Sequence, residues 1–253
     1  MDPVAFTLFG HDIRWYGILI GTGMLLGIYI AYKRAPRFDI IPDRVIDLCL
    51  VSLPVGVVGA RTWYVLFNWE YYRGDFMKII DVTQGGLAIH GGLIFGITTA
   101  AILCKIWKIN IWDFLDLAVP SIALGQAIGR WGNYANGEAH GGPTDLPWAI
   151  QVDGQMVHPT FLYESIWCFL LFIFLIKISK NRRFSGQIFC LYGILYSIER
   201  FFVEGLRTDS LTFFGLRTAQ LVSVGIIVGC LLIYCVKKRN SGGKSVEKSD
   251  NLV

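Results

Sequence analysis

Four polar side chains recur along residues 196–207 at spacings of four, four and three: Tyr196, Arg200, Glu204 and Arg207. That spacing places them on one face of a helix, with Glu199 about 100° away around the axis. The residues between them are largely apolar. A phenol, two guanidiniums and a carboxylate on one face of such a helix predict a wet cavity inside a membrane protein, because ionisable groups facing lipid are costly. A guanidinium grips a phosphate through two parallel hydrogen bonds, where an ammonium offers a point charge. The chemistry suggested is recognition of an anionic group.

A second cluster lies in GRWGNYANGEAHG, residues 129–141. Read as a loop, its glycines allow tight turns and close backbone approach to a ligand. Asn133 and Asn136 offer donors and acceptors, and Glu138 can hold an arginine or accept a proton. Arg130 can grip phosphate. Alone, the segment serves equally well as a structural interfacial turn; with the arginines of 196–207 it reads as an anion-headgroup site. His90 stands between glycine pairs in GGLAIHGG, residues 85–92. It is a candidate general base or a packing histidine. No strand–helix–strand context supports a nucleotide loop there. His140 and His158 flank Glu138 only loosely, so no metal site is expected.

These groups need elements to position them. The chain has 253 residues, 54% of them hydrophobic and only 17% charged, against roughly a quarter charged in soluble domains. Mean hydropathy is +0.51. About seven apolar stretches are long enough to span a bilayer, near residues 13–33, 45–67, 87–107, 111–129, 159–178, 186–205 and 214–236. The expected fold is all-α, a polytopic membrane helix bundle of seven transmembrane helices. It forms a single transmembrane catalytic domain over 1–236, with outer-face loops at 68–86 and 130–158 and a basic, disordered cytoplasmic tail over 237–253. The N-terminus shows no basic region or cleavage site of a removable signal peptide.

Lysine and arginine concentrate in alternate connections: Lys33, Arg34, Arg37 and Arg44; then Lys105 and Lys108; then Lys177, Lys180, Arg182 and Arg183; then the tail. The positive-inside rule places the N-terminus outside (periplasmic) and the C-terminus in the cytoplasm. On this topology Tyr16, Arg61, His90, Arg130, Glu164, Arg200, Glu204 and Arg217 gather toward the outer leaflet. Snorkelling residues would instead decorate both helix ends. The six cysteines lie in or beside apolar stretches without a CxxC pair, so they read as small buried residues rather than disulfides or zinc ligands.

The chain resembles the bacterial phosphatidylglycerol–prolipoprotein diacylglyceryl transferase family over most of residues 14–236. The resemblance rests on RWYG at 14–17, GAR at 59–61, HGG at 90–92, GRWGNYANGEAHG at 129–141, HPTFLYE at 158–164 and YSIERFFVEGLR at 196–207, in that order. It departs at Gly142, where a basic residue is common in the family. The resemblance implies a seven-span inner-membrane enzyme that moves diacylglyceryl from phosphatidylglycerol to the lipobox cysteine of prolipoproteins. A thioether forms and glycerol phosphate leaves, the first step of lipoprotein maturation. It implies Arg130 and Arg200 as essential arginines and His90 as the proposed base. It also implies substrate-site positions at Tyr16, Asn133, Glu138, Gly141, Tyr196, Glu204 and Arg207; the readings of Arg61 and Asn136 above add two more. Glu164 is expected to support the structure. The implied partners are phosphatidylglycerol, prolipoprotein signal peptides and the bilayer, with no nucleic acid and no cofactor.

The physical logic agrees. Displacement at the glyceryl carbon leaves a phosphate monoester, and preorganised arginines stabilise the growing charge. The substrate brings the nucleophile, so the enzyme needs no cysteine of its own. Deprotonating a thiol of pKa near 8.5 costs about 2 kcal/mol at pH 7. His90 or an arginine-rich field could meet that need. Two rivals use the same residues differently. An anion transporter predicts internal repeats and broken helices at the midplane, and no repeat is visible. A non-catalytic receptor would not need His90, Arg130 and Arg200 together.

Overall fold

Each long apolar run of the sequence is a helix. The computed structural model describes residues 3–82, 85–152, 154–208, 212–213 and 216–250, with backbone alone at 213 and 242–250. The helices are α1 (Trp15–Arg34), α2 (Pro42–Phe67), the short α3 (Trp69–Tyr72) and α4 (Phe76–Ile80), α5 (Ile89–Ile106), α6 (Ile111–Ala135), α7 (Thr160–Ile178), α8 (Gln187–Leu206) and α9 (Thr218–Asp250). Among the described residues, six regions are long and apolar enough to cross a membrane: Trp15–Phe38, Pro42–Phe67, Ile89–Ile106, Ile111–Ala135, Thr160–Asn181 and Thr218–Ser241. Against the seven expected, the missing one is α8. At 20 residues it has the length of a span, but Glu199, Arg200 and Glu204 crowd its C-terminal half.

The burial pattern is that of a protein whose solvent is lipid. Leu25, Leu50, Ile97, Leu170, Phe202 and Leu232 are exposed, while Asp116, Glu164, Glu199 and Glu204 are buried. In water such a surface would aggregate; in hydrocarbon it is the matching surface, and the ionisable groups turn inward.

The chain divides into two units, Met1–Ile30 with Leu115–Val253, and Ala31–Phe114. In the second unit α2 packs on α5 through glycines. A Cβ at Gly59 would lie 2.8 Å from the Gly91 carbonyl oxygen, so only hydrogen permits that approach. The Arg44 guanidinium lies 4.6 Å over the Trp107 ring. In the first unit Val119 and Ala123 of α6, Leu171 and Leu175 of α7 and Ile188 of α8 form the core. Below them the fully buried Asp116 accepts hydrogen bonds from the Gly186 and Phe189 amides, both at 2.8 Å, and from Arg182 at 3.1 Å. Gly186, the residue preceding α8, has no side chain to cap the helix, so Asp116 supplies the cap from another helix.

The fold is mostly helical, as the sequence leads one to expect, and among the described residues it adds three two-stranded hairpins: β1 (Val4–Leu8) with β2 (His11–Arg14), β3 (Ile150–Val152) with β4 (Gln155–Val157), and β5 (Thr212–Phe213) with β6 (Leu216–Arg217). The 68–86 loop contains α3 and α4; its residues 83 and 84 lie outside the described residues. The 130–158 loop begins as helix, since α6 continues to Ala135. The helical glycines Gly129 and Gly132 serve packing rather than a turn. A Cβ at Gly132 would stand 2.7 Å from Tyr16 Cδ2, and one at Gly129 3.1 Å from Ile20 Cδ1. The helical backbone of α9 runs past the apolar stretch into the basic segment as far as Asp250. Residues 251–253 of the expected tail lie outside the described residues.

Candidate active site

At the C-terminal end of α8 the predicted polar face meets a carboxylate from α7. Glu164 is 1% exposed and is the hub. Its Oε2 pairs with Arg130 of α6. Its Oε1 accepts from Arg200 Nη1 at 3.2 Å and faces Arg207 Nη1 at 3.9 Å. Arg200 also pairs with Glu204 one turn on, Nη2 to Oε2 at 2.7 Å, and Arg217 donates to the Glu204 carbonyl. Arginines 34 and 36 residues away from Glu164, on either side of it, thus converge on one buried group.

The guanidiniums are anchored but not sealed. Arg130, Arg200 and Arg207 keep 19%, 22% and 13% of their side-chain surface exposed. A cavity of about 380 Å³ opens beside them, with Tyr196, Arg200, Glu204 and Arg207 on one wall and Ala219, Val222 and Ile226 of α9 on the other. One wall is charged; the other is mainly apolar, with the hydroxyl-bearing Thr218 and Ser223 beside its carbon side chains. On the far side of Arg130, α6 and α7 enclose a groove of about 320 Å³ lined by Ala127, Trp131, Ser165 and Phe169. Trp131 Nε1 donates to Ser165 Oγ at 3.1 Å, and that hydroxyl donates to the Ala127 carbonyl at 2.8 Å. Its polar atoms thus pair with one another, and the groove presents carbon.

The rest of the 129–141 segment is tied to the same helix ends. Asn133 and Asn136 both donate to Glu138 Oε1, at 3.1 and 3.2 Å. A turn through Gly137 (φ 69°) and Ala139 (φ 59°) follows, and Thr160 Oγ1 donates to the Ala139 carbonyl at 2.6 Å. Gly141 N–H donates to the His158 carbonyl and Gly142 N–H to the Leu206 carbonyl, each at 2.9 Å. A Cβ at Gly141 would stand 2.6 Å from His158 Cβ, so this junction admits no side chain. Gly142 uses its amide here as a backbone tie.

The structure therefore brings Arg130, Tyr196, Arg200, Glu204 and Arg207 around Glu164, and sets Tyr16 against α6 at Gly132. Asn133 lies in the last turn of α6, and Asn136, Glu138 and Gly141 follow it. Arg61 and His90 belong to the second unit. Arg61, an expected substrate-binding residue, engages four carbonyl oxygens: Ile79, Gly85 and Gly86 at 2.9 Å each and Lys78 at 2.6 Å. His90 is exposed in the first turn of α5. Two groups escaped the sequence reading. Glu164, taken there as support, is the hub; the signal was a single carboxylate in an otherwise apolar span. Glu199 is 6% exposed, and neither carboxylate oxygen has a hydrogen-bond partner among the described residues.

An arginine cluster in a polytopic helical protein is costly in lipid and marks a functional site of a multi-pass membrane protein. Comparison with known proteins narrows this. The family model described as prolipoprotein diacylglyceryl transferase matches residues 3–236. A phosphatidylglycerol–prolipoprotein diacylglyceryl transferase of Clostridioides difficile (strain 630) is 52% identical over 248 residues, covering 98% of this chain and 100% of the relative. One of Finegoldia magna is 51% identical, covering 99% of both chains. One of Bacillus cytotoxicus is 46% identical, covering 96% of this chain and 94% of the relative. The chain belongs to the prolipoprotein diacylglyceryl transferase family and is a transferase.

Proposed function

We propose that this protein transfers the diacylglyceryl group of phosphatidylglycerol to the lipobox cysteine thiol of prolipoproteins. The observation that carries the site assignment is the convergence of Arg130 and Arg200 on the buried Glu164, with both guanidiniums still partly open. The thiolate attacks the glyceryl carbon, a C–S bond forms, and the C–O bond to phosphate breaks. The leaving oxygen becomes that of glycerol phosphate, a monoester with more negative charge than the diester. Two guanidiniums already fixed by Glu164 meet that charge without reorganising, which is where preorganised donors act most strongly.

The cavity fits an amphiphile. Its charged wall suits the phosphate and glycerol, and its α9 wall suits acyl chains. Tyr196, Glu204 and Arg207 would contact the headgroup. Glu138 with Asn133 and Asn136 would shape the mouth, Gly141 would keep it narrow, and Tyr16 would border it from α1. Arg61 would act by holding the 78–86 segment. The thiol proton passes either to His90 or to solvent, with the arginine field favouring the thiolate. We read α8 as a seventh span whose charges face inward. Residues 1–236 then form one catalytic domain, with a basic cytoplasmic tail after it. The lysine and arginine distribution favours an outside N-terminus, a cytoplasmic C-terminus and a site toward the outer leaflet of the inner membrane.

The test is transfer by purified protein in detergent, using radiolabelled phosphatidylglycerol and a lipobox peptide. Label should appear on the peptide cysteine. Arg130→Ala and Arg200→Ala, purified as folded protein, should each lose about 10²–10³-fold in kcat. Folded wild type that leaves the peptide unlabelled would overturn the proposal.

A further inference from the structure

The first 14 residues carry an arrangement that the transfer reaction does not use. β1 and β2 form a hairpin in which Phe6 pairs with Ile13, Thr7 with Asp12 and Leu8 with His11. Alternation along a strand and the cross-strand register set a mainly apolar face of Phe6, Leu8 and Ile13, with His11 at its turn end, against Thr7 and Asp12 on the other. The polar face is closed by its own hydrogen bond, Thr7 Oγ1 to Asp12 Oδ1 at 2.7 Å. The apolar face is open, with Phe6 51% and Leu8 50% exposed. At the tip, Phe9 is 93% exposed.

The turn itself is telling. Phe9 has φ 49° and Gly10 φ 79°, the two positive values of a tight hairpin turn that favours Asn-Gly or Asp-Gly. A bulky aromatic residue is strained there. A hairpin with no use for the ring would be more stable with asparagine, and more soluble. Position adds a third observation. Arg14 ends β2 and Trp15 begins α1 with no linker, and the Trp15 amide donates to the Pro3 carbonyl at 3.0 Å. The hairpin is thus fastened to the end of a membrane-spanning helix whose first residues, Trp15 and Tyr16, are partly exposed aromatics of the kind that sit at the headgroup level.

We infer that this hairpin is an interfacial anchor: its Phe6–Leu8 face and the Phe9 tip enter the phospholipid headgroup and upper acyl region beside the start of α1. Its partner is the bilayer surface. The aromatic tip replaces water by lipid around a side chain that is 93% exposed, and the Thr7–Asp12 face stays toward water. This fixes the height of α1, and with it Tyr16, relative to the leaflet. The inference rests on the membrane reading of α1 and stands or falls separately from the transferase reading.

The test places the photoreactive residue benzoylphenylalanine at position 9, 8 or 7 of the full chain. Each variant is reconstituted into vesicles of phosphatidylglycerol and phosphatidylcholine and irradiated, with adducts read by mass spectrometry. Positions 9 and 8 should capture lipid several-fold more than position 7. Equal lipid capture at all three positions would overturn the anchor. So would capture at position 9 of a second copy of the chain, or of an added lipobox peptide, in place of lipid. The readout needs no enzymatic turnover, so an inactive preparation still decides it.

Discussion

Asp116 and Glu164 are both buried carboxylates in the first unit, at opposite ends of the α7–α8 pair, and they are satisfied in different ways. Asp116 is held by two backbone amides and one arginine. The amides belong to the first turn of α8 and cannot move unless the helix frays. Among the described residues Glu164 is held by guanidiniums alone: Arg130 of α6, Arg200 of α8 and Arg207 just past the end of α8. Long side chains can keep one edge on a carboxylate and offer the other to a ligand. Asp116 is thus a closed joint and Glu164 an open one. Burial and charge alone do not distinguish structure from function here; the identity of the partners does.

The strongest way to break the comparison is to remove both carboxylates in turn. Glu164→Ala leaves Arg130, Arg200 and Arg207 without their common partner. We expect transfer to fall at least about hundredfold, since the phosphate donors lose their preorganisation. Stability should also fall, by roughly 3–5 kcal/mol as for other broken buried pairs. Asp116→Ala should cost about 3 kcal/mol in thermal or denaturant unfolding in detergent, combining a lost helix cap with a lost buried ion pair to Arg182. Its kcat, measured on the folded fraction, should stay within about twofold of wild type, far less than the loss from an oxyanion-type donor. A large kcat defect in Asp116→Ala with unchanged stability would erase the distinction.

A finer cut separates charge from geometry. Arg200→Lys retains the positive charge but not the planar fork that reaches Glu164 and Glu204 together. Activity should fall about tenfold, roughly the 1.4 kcal/mol expected for one lost charge-assisted hydrogen bond. The same exchange at Arg182 should leave kcat unchanged and lower stability by about 1 kcal/mol. Equal activity losses at both sites would mean that the two ends of α8 work alike.

The legibility of these features from sequence followed the range of their interactions. The Tyr196–Arg207 face was readable because a helix repeats locally, and all four residues lie within three turns. The hub was not. A lone carboxylate at position 164 carries no mark of arginines 34 residues before it and 36 after it. Apolar runs located the long helices closely. The hairpins escaped because each is too short for strand periodicity, and the first turns on Phe-Gly rather than Asn-Gly. The four backbone carbonyls that Arg61 engages were not legible either, since no sequence pattern displays such partners.

The glycines of 129–141 give the smallest predicted effect. Gly129 and Gly132 resemble turn residues, yet both lie within α6, where glycine costs about 1 kcal/mol relative to alanine unless something requires it. The requirement at Gly132 is the Tyr16 ring, whose Cδ2 would stand 2.7 Å from an added Cβ. The obstacle is a ring on a rotatable side chain as well as backbone, the Tyr16 Cα at 3.3 Å. Gly132→Ala should therefore gain helix propensity and lose packing, for a net stability change within about 1 kcal/mol. Its larger consequence should be displacement of Tyr16, read as a severalfold rise in KM for phosphatidylglycerol with kcat nearly intact. Gly132→Ala combined with Tyr16→Ala should then behave like Tyr16→Ala alone. If the two defects instead multiply, Gly132 acts on the Arg130 turn of α6 directly, and the glycine belongs to the open joint rather than to the packing around it.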